Sequence, residues 1–246
     1  MSQGHFFYLS RADVEAVGLS MREIIAAVEE GFAAKGRGEV EMPPKPGLHP
    51  GNDAFLHAMP AYVPHVKTAG IKWVAGYPDN PARGLPYISG LLILNDVDTG
   101  FPVAVMDCTW ITAMRTGAAT AVAAKYLARP ESKRLGIIAC GVQGQSNLEA
   151  LATRFPLNTV VVYDIRPEVA QSFAKRMQAK FDITIIVAAT PQEVVVDSDI
   201  VVTSGPILKT PRPVIEADWL APVHLRVLWI SIPIGRNLLC RKLTFW

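Results

Sequence analysis

Apolar positions recur with two different periods along this chain, and the period changes at definable points. Between residues 10 and 36, Leu19, Ile24, Ile25, Val28 and Phe32 fall at helical spacing behind Ser10, a side chain suited to accept from free first-turn amides. One amphipathic helix ending near Gly36 is expected there. Residues 40–66 are rich in proline and glycine around the short apolar run 54–59, the pattern of loops around a strand. Residues 69–76, 87–95 and 101–107 read as strands separated by turns. From Thr109 to Ala128 the chain is small-residued, alanine-rich and free of proline, which predicts a long helix stopping before Arg129 and Pro130. Apolar strands at 135–140, 159–164, 183–188 and 199–204 then alternate with helices at Gln145–Phe155 and Glu168–Phe181. That alternation predicts an α/β fold with a Rossmann-type doubly wound parallel sheet. A β-rich α+β domain precedes it. The expected boundaries are 1–128, 129–222 and a separate tail, 223–246.

Composition narrows the possibilities. The chain has 246 residues, half of them hydrophobic, enough for a sizeable core. A net charge of +2 makes no electrostatic case for nucleic acid or an anionic membrane. Cys108, Cys140 and Cys240 are widely spaced and form no CxxC pair, so neither a metal site nor a disulfide framework is expected. A reducing, cytoplasmic compartment fits that usage. The N-terminus lacks a basic region followed by an apolar run, and no stretch reaches the ~18 apolar residues of a membrane span.

One segment carries recognisable chemistry. The strand 135–140 runs straight into Gly141-Val142-Gln143-Gly144, and a helix follows. Glycines at this turn let backbone amides approach a pyrophosphate, whose charge a helix N-terminus favours. The pattern is A-x-G-x-x-G, with Ala139 where the first glycine usually stands. Asp164 closes the next strand, where an acidic side chain accepts ribose hydroxyls. Arg166 could instead meet a 2′-phosphate, so NAD is favoured over NADP because Asp164 would repel that phosphate. The plainer alternative is that Gly141 and Gly144 only make a tight turn.

The segments 57–62, 70–81, 84–86, 99–129 and 141–145 together resemble the ornithine cyclodeaminase/mu-crystallin family, over roughly residues 5 to 222. The most specific of them is the string from Met106 to Ala118, with its Ile111-Thr112-Ala113 and Arg115-Thr116. The resemblance implies a homodimer in which a β-rich substrate and dimerisation domain joins a Rossmann domain, with the active site in the cleft. It implies hydride exchange between a nicotinamide and the nitrogen-bearing carbon of a small amino acid or imine. Cyclodeamination, alanine-dehydrogenase-like oxidation and ketimine reduction are all open, and so is a non-catalytic binder of mu-crystallin type.

The resemblance also assigns roles. It makes Lys72 the active-site lysine and Arg115 the residue reaching cofactor phosphates and substrate. Lys45 stands where an arginine usually holds the substrate carboxylate, keeping the charge but losing the planar fork. Tyr87 takes a position often held by a cofactor-binding threonine, and Val142, Gln143, Asp164 and Thr203 match cofactor contacts. His57 stands near an expected glutamate and can shuttle protons, which disfavours strict ornithine cyclisation. From the residues alone, Lys72 can equally sit on a solvated strand face, Arg115 in an interface ion pair, and His57 in a structural role.

After Pro222 the resemblance breaks, and no acidic residue follows Asp218. The overlapping codons of Trp229 and Ile230 spell an aspartate in the neighbouring frame. The tail is therefore expected to be a shifted reading frame lacking a family aspartate, with turnover weakened accordingly.

Overall fold

The computed structural model describes residues 5–206, 210, 214–219 and 225–227. Contacts divide the chain into two compact units, 1–115 and 116–246.

The first unit opens with β1 (Phe7–Leu9), α1 (Arg11–Ala16) and α2 (Met21–Gly36). The single helix expected over 10–36 is therefore two. Gly18 adopts φ of 72°, a left-handed conformation that ends the first helix, and Ser20 caps a second one with Glu23 returning to the Ser20 amide at 2.8 Å. Local capping overrides the continuous apolar period. Five more strands follow: β2 (Gly47–Gly51), β3 (Ala54–Val63), β4 (Thr68–Gly76), β5 (Ile88–Asn95) and β6 (Pro102–Asp107). They form a six-stranded sheet in the order β1-β6-β5-β4-β3-β2, antiparallel except for the β1–β6 pair. In register, Lys72 lies opposite Met59 and Leu92, and Trp73 opposite Ala58 and Leu91. Because successive residues point to opposite faces, Lys72 shares its face with His57 and Gly90. Trp73, Ile71, Leu91 and Ile93 share the other.

The long helix α3 (Thr109–Leu127) forms as expected, but the division into units falls inside it, not at 128/129. Its second half is built of small residues that pack within the second unit: Thr116, Ala118, Ala121 and Ala124 are buried. A Cβ on Gly117 would lie 2.2 Å from the Ser146 carbonyl oxygen, so only glycine permits that approach.

The second unit contains β7 (Arg134–Ile138), α4 (Val142–Arg154), β8 (Thr159–Tyr163), α5 (Pro167–Lys180), β9 (Thr184–Val187), α6 (Pro191–Val195), β10 (Ile200–Thr203) and β11 (Leu225–Val227). The strands are all parallel, in the order β11-β10-β7-β8-β9. This is the doubly wound order, whose direction reverses between β7 and β10. Apolar clusters cover both faces. Leu135, Ile137, Leu148, Val160, Phe173 and Val202 belong to one, and Ile138, Val161, Val194 and Val201 to the other. Burying a side chain such as Phe173 contributes roughly 2–3 kcal/mol, which explains why these strands read as unbroken hydrophobic runs. The five-residue α6, started by the Thr190 cap, is too short to show a period. In the tail, β11 joins the sheet edge beside β10, as its apolar pattern allows. The rest of the expected frame-shifted tail, residues 223, 224 and 228–246, lies outside the described residues.

Candidate active site

The turn after β7 is built as a cradle. Gly141 is the N-cap of α4 and supplies no side-chain cap, so the first-turn amides keep their donors. A Cβ on Gly141 would meet nothing within 4 Å, leaving open space in front of those amides. Val142, the first helical residue, is 64% exposed. Gly144 differs: a Cβ there would lie 2.7 Å from the Ala139 carbonyl oxygen, so glycine is needed for helix and strand to pack. Ala139 itself has φ of 75°. The missing first glycine of the fingerprint is thus replaced by an alanine holding the glycine conformation.

Two further groups hold this turn. The Cys140 amide donates to the Asp164 carboxylate at 2.9 Å, and the Arg166 amide donates to its other oxygen at 3.0 Å. The Ser204 hydroxyl donates to the Ala139 carbonyl at 2.7 Å. The half-buried Gln143 follows in α4, its backbone carbonyl accepting from the Asn147 side-chain amide at 2.7 Å. Thr203 is buried at the end of β10 opposite Ile138. Burial, reinforced by Asp164, pushes the Cys140 thiol up to about 12, so it is an inert packing group. Uncapped amides, an open approach and an acidic strand end together fit a dinucleotide pyrophosphate and ribose.

The first unit holds a cluster of cations. Lys72 is only 9% exposed in the middle of β4. Burial, then the Arg115 guanidinium, lower its ammonium to about 8, with Lys45 adding to the repulsion. Arg115 is half-buried near the start of α3, and burial likewise lowers its pKa. Among the described residues no carboxylate pairs with Lys72. Burial raises the Cys108 thiol, with the Lys72 and Arg115 charges acting in the opposite direction. It lies 3.1 Å from where a Cβ on Gly90 would be. His57 stacks on Phe55 with ring centroids 4.5 Å apart, and its pKa is lowered by burial and then by Lys45, His49 and Lys72.

Of the residues read from the sequence, Lys45, His57, Lys72 and Arg115 gather in the first unit, and Gly141, Val142, Gln143, Gly144, Asp164, Arg166 and Thr203 around the cradle of the second. Tyr87 precedes β5 and its carbonyl accepts from the Tyr77 amide at 2.9 Å. Sequence reasoning passed over His49, Cys108 and Ser204. Cys108 had been weighed only as a disulfide or metal candidate, and Ser204 stands beside the chosen Thr203. No group of three or more metal-binding side chains occurs among the described residues. No helix among them is long and apolar enough to cross a membrane.

The ornithine cyclodeaminase/mu-crystallin family model matches residues 7–232, extending past the Pro222 where the resemblance was expected to break. Alanine dehydrogenase of Archaeoglobus fulgidus is 42% identical over 212 residues, covering 86% of this chain and 63% of that protein. The chain thus spans less than two thirds of that relative. A solved archaeal alanine dehydrogenase dimer with bound NAD superimposes with a TM-score of 0.82 at 39% identity, over 90% of this chain and 66% of that one. Delta(1)-pyrroline-2-carboxylate reductase of Thermococcus litoralis, solved with NADH and L-proline, gives a TM-score of 0.85 at 36% identity, over 91% of this chain and 69% of that one.

Proposed function

This chain belongs to the ornithine cyclodeaminase/mu-crystallin family, and on that premise we propose that it is an NAD-dependent oxidoreductase acting at the nitrogen-bearing carbon of a small amino acid or imine. The observation that carries the reading is the Asp164 carboxylate bound to the Cys140 amide beside the uncapped start of α4. The amides of residues 141–144 would hold the pyrophosphate and Asp164 the ribose hydroxyls. Arg166, 65% exposed and 4.0 Å from Asp164, leaves that carboxylate dominant and supports NAD over NADP. When bound, the nicotinamide supplies the hydride acceptor or donor.

The chain's own residues do the rest. Lys45 and Arg115 hold the substrate carboxylate as opposite charges. Lys72, with its pKa near 8, exchanges a proton at Nζ close to neutral pH, the range in which a general acid or base works best. The apolar wall of β4 and β5 around it keeps water away and strengthens each charge interaction.

The family's dimeric assembly extends to this chain in the same reading. The sheet face opposite Lys72 leaves Trp73 38% and Leu91 40% exposed as a cross-strand pair, an apolar surface suited to a second copy. Cys108 and Cys140 are both free and buried, which supports a reducing, cytoplasmic setting.

Titration with NADH, followed by assays with L-alanine, L-ornithine and a cyclic imino acid, tests the proposal. Saturable NADH binding and turnover of at least one substrate are expected. Absence of affinity for both NADH and NADPH would overturn it.

A further inference from the structure

Five basic side chains lie together in the first unit: Lys45, His49, His57, Lys72 and Arg115. The two histidine rings are held by packing. The His57 ring is stacked on Phe55 at an interplanar angle of 23°, and the His49 ring meets it edge-on at 5.9 Å. Beside it, a Cβ on Gly47 would lie 2.7 Å from the His57 ring, so glycine is what leaves the imidazole its room. His57 pairs with Val74 while Met59 pairs with Lys72. The two basic residues are therefore diagonal neighbours on one sheet face, with Cα atoms about 7–8 Å apart.

The charge balance of this face is uneven. Asp107, the carboxylate acting on Cys108, lies opposite Leu91 on the other face and already accepts from the Thr109 amide at 2.8 Å and the Thr109 hydroxyl at 3.1 Å. Among the described residues, no carboxylate forms an ion pair with Lys45, His49, His57 or Lys72. A substrate with one carboxylate answers the lysines but leaves the His49 and His57 ring N–H groups without an acceptor, and a distal ammonium would add to the positive charge of Lys45 and Lys72.

We propose that the site takes an amino or imino acid bearing a second carboxylate, one carboxylate held at Lys45 and Arg115 beside Lys72 and the other at His57 and His49. This rests on the reading of the first unit as the site for an amino or imino acid. An imidazole offers an N–H donor in either protonation state, so His57 can hold an oxygen throughout the pH range of interest. A longer, cationic amino acid would place its ammonium against that same ring.

The test uses the full chain with saturating NADH and measures binding of succinate, butyrate and L-ornithine by calorimetry at low salt. Succinate is expected to bind at least about tenfold tighter than butyrate. His57→Glu should remove that preference and improve ornithine binding. His57→Gln, which keeps a donor of similar size, should retain part of the preference and controls for folding. Equal affinities for succinate and butyrate, both lost in Lys72→Met, would overturn the second carboxylate while leaving the site reading intact. Failure of every carboxylate to bind would overturn both. A succinate preference unchanged in His57→Glu would overturn the assignment of His57.

Discussion

The Cys140 amide and the Asp164 carboxylate stand 2.9 Å apart, joining the turn after one strand to the end of the next. One side chain therefore both shapes the cradle and, in the function proposed, reads the ribose. Its second oxygen accepts from the Arg166 amide at 3.0 Å. Losing the first bond leaves the buried Cys140 amide without its acceptor, whereas the Arg166 amide is exposed to water.

Asp164→Asn is expected to point an amide NH2 at one of those two backbone donors. The loss should be about 1–3 kcal/mol of stability, with NADH affinity falling at least about tenfold. Urea unfolding and NADH titration measure the two effects. An unchanged unfolding midpoint would show that Asp164 does not tie the turn.

Ala139 holds φ of 75°, which costs a residue with a Cβ about 1 kcal/mol relative to glycine. Ala139→Gly should relieve that strain and restore the full glycine fingerprint. The expected result is a rise in thermal midpoint of about 2–4 °C with NADH affinity kept or improved. A lowered midpoint would mean that the alanine methyl makes packing contacts worth more than the strain.

Gly144→Ala places a methyl 2.7 Å from the Ala139 carbonyl, which the Ser204 hydroxyl already holds at 2.7 Å. Backbone must move, because neither neighbour is the end of a flexible chain. A destabilisation of about 1–3 kcal/mol is expected, together with weakened NADH binding. The paired substitution Gly141→Ala meets no such neighbour, so its loss of stability should be smaller. Equal losses at both positions would contradict this account.

Lys72 gives a pH dependence whose sign follows from its lowered pKa of about 8 against an ordinary 10.5. The unfolded chain holds this proton more tightly than the folded one. Stability contributed at this position should therefore rise as pH climbs from about 8 to 10.5, and the burden at neutral pH is on the order of 3 kcal/mol. Lys72→Met should remove that rise and be more stable than the parent at pH 7, while losing turnover. Unfolding curves from pH 7 to 10.5 test it, and a parent curve flat in pH would refute the burial argument.

Much of this molecule was legible before any coordinates. The parallel strands of the second unit read as apolar runs because both sheet faces are covered. The Gly141–Gly144 turn and Asp164 read as a nucleotide cradle because local backbone demands restrict the residue types there. Even the weak point of the motif was visible at Ala139, although not its resolution. The helix break at Gly18 was missed because the apolar spacing runs on across it while the Ser20 cap decides the geometry.

Residue type and spacing alone determined the alternation of elements, the family and the identity of the main charged groups. Those properties depend on neighbours within a turn or two along the chain. Tertiary structure decided what depends on distant segments meeting. It brought Ser204 onto the Ala139 carbonyl across 65 residues, set Cys108 against the Lys72 charge, and wedged His57 between Phe55, His49 and Gly47. No local period encodes such contacts, because burial and charge are shared between strands whose register only the folded sheet defines.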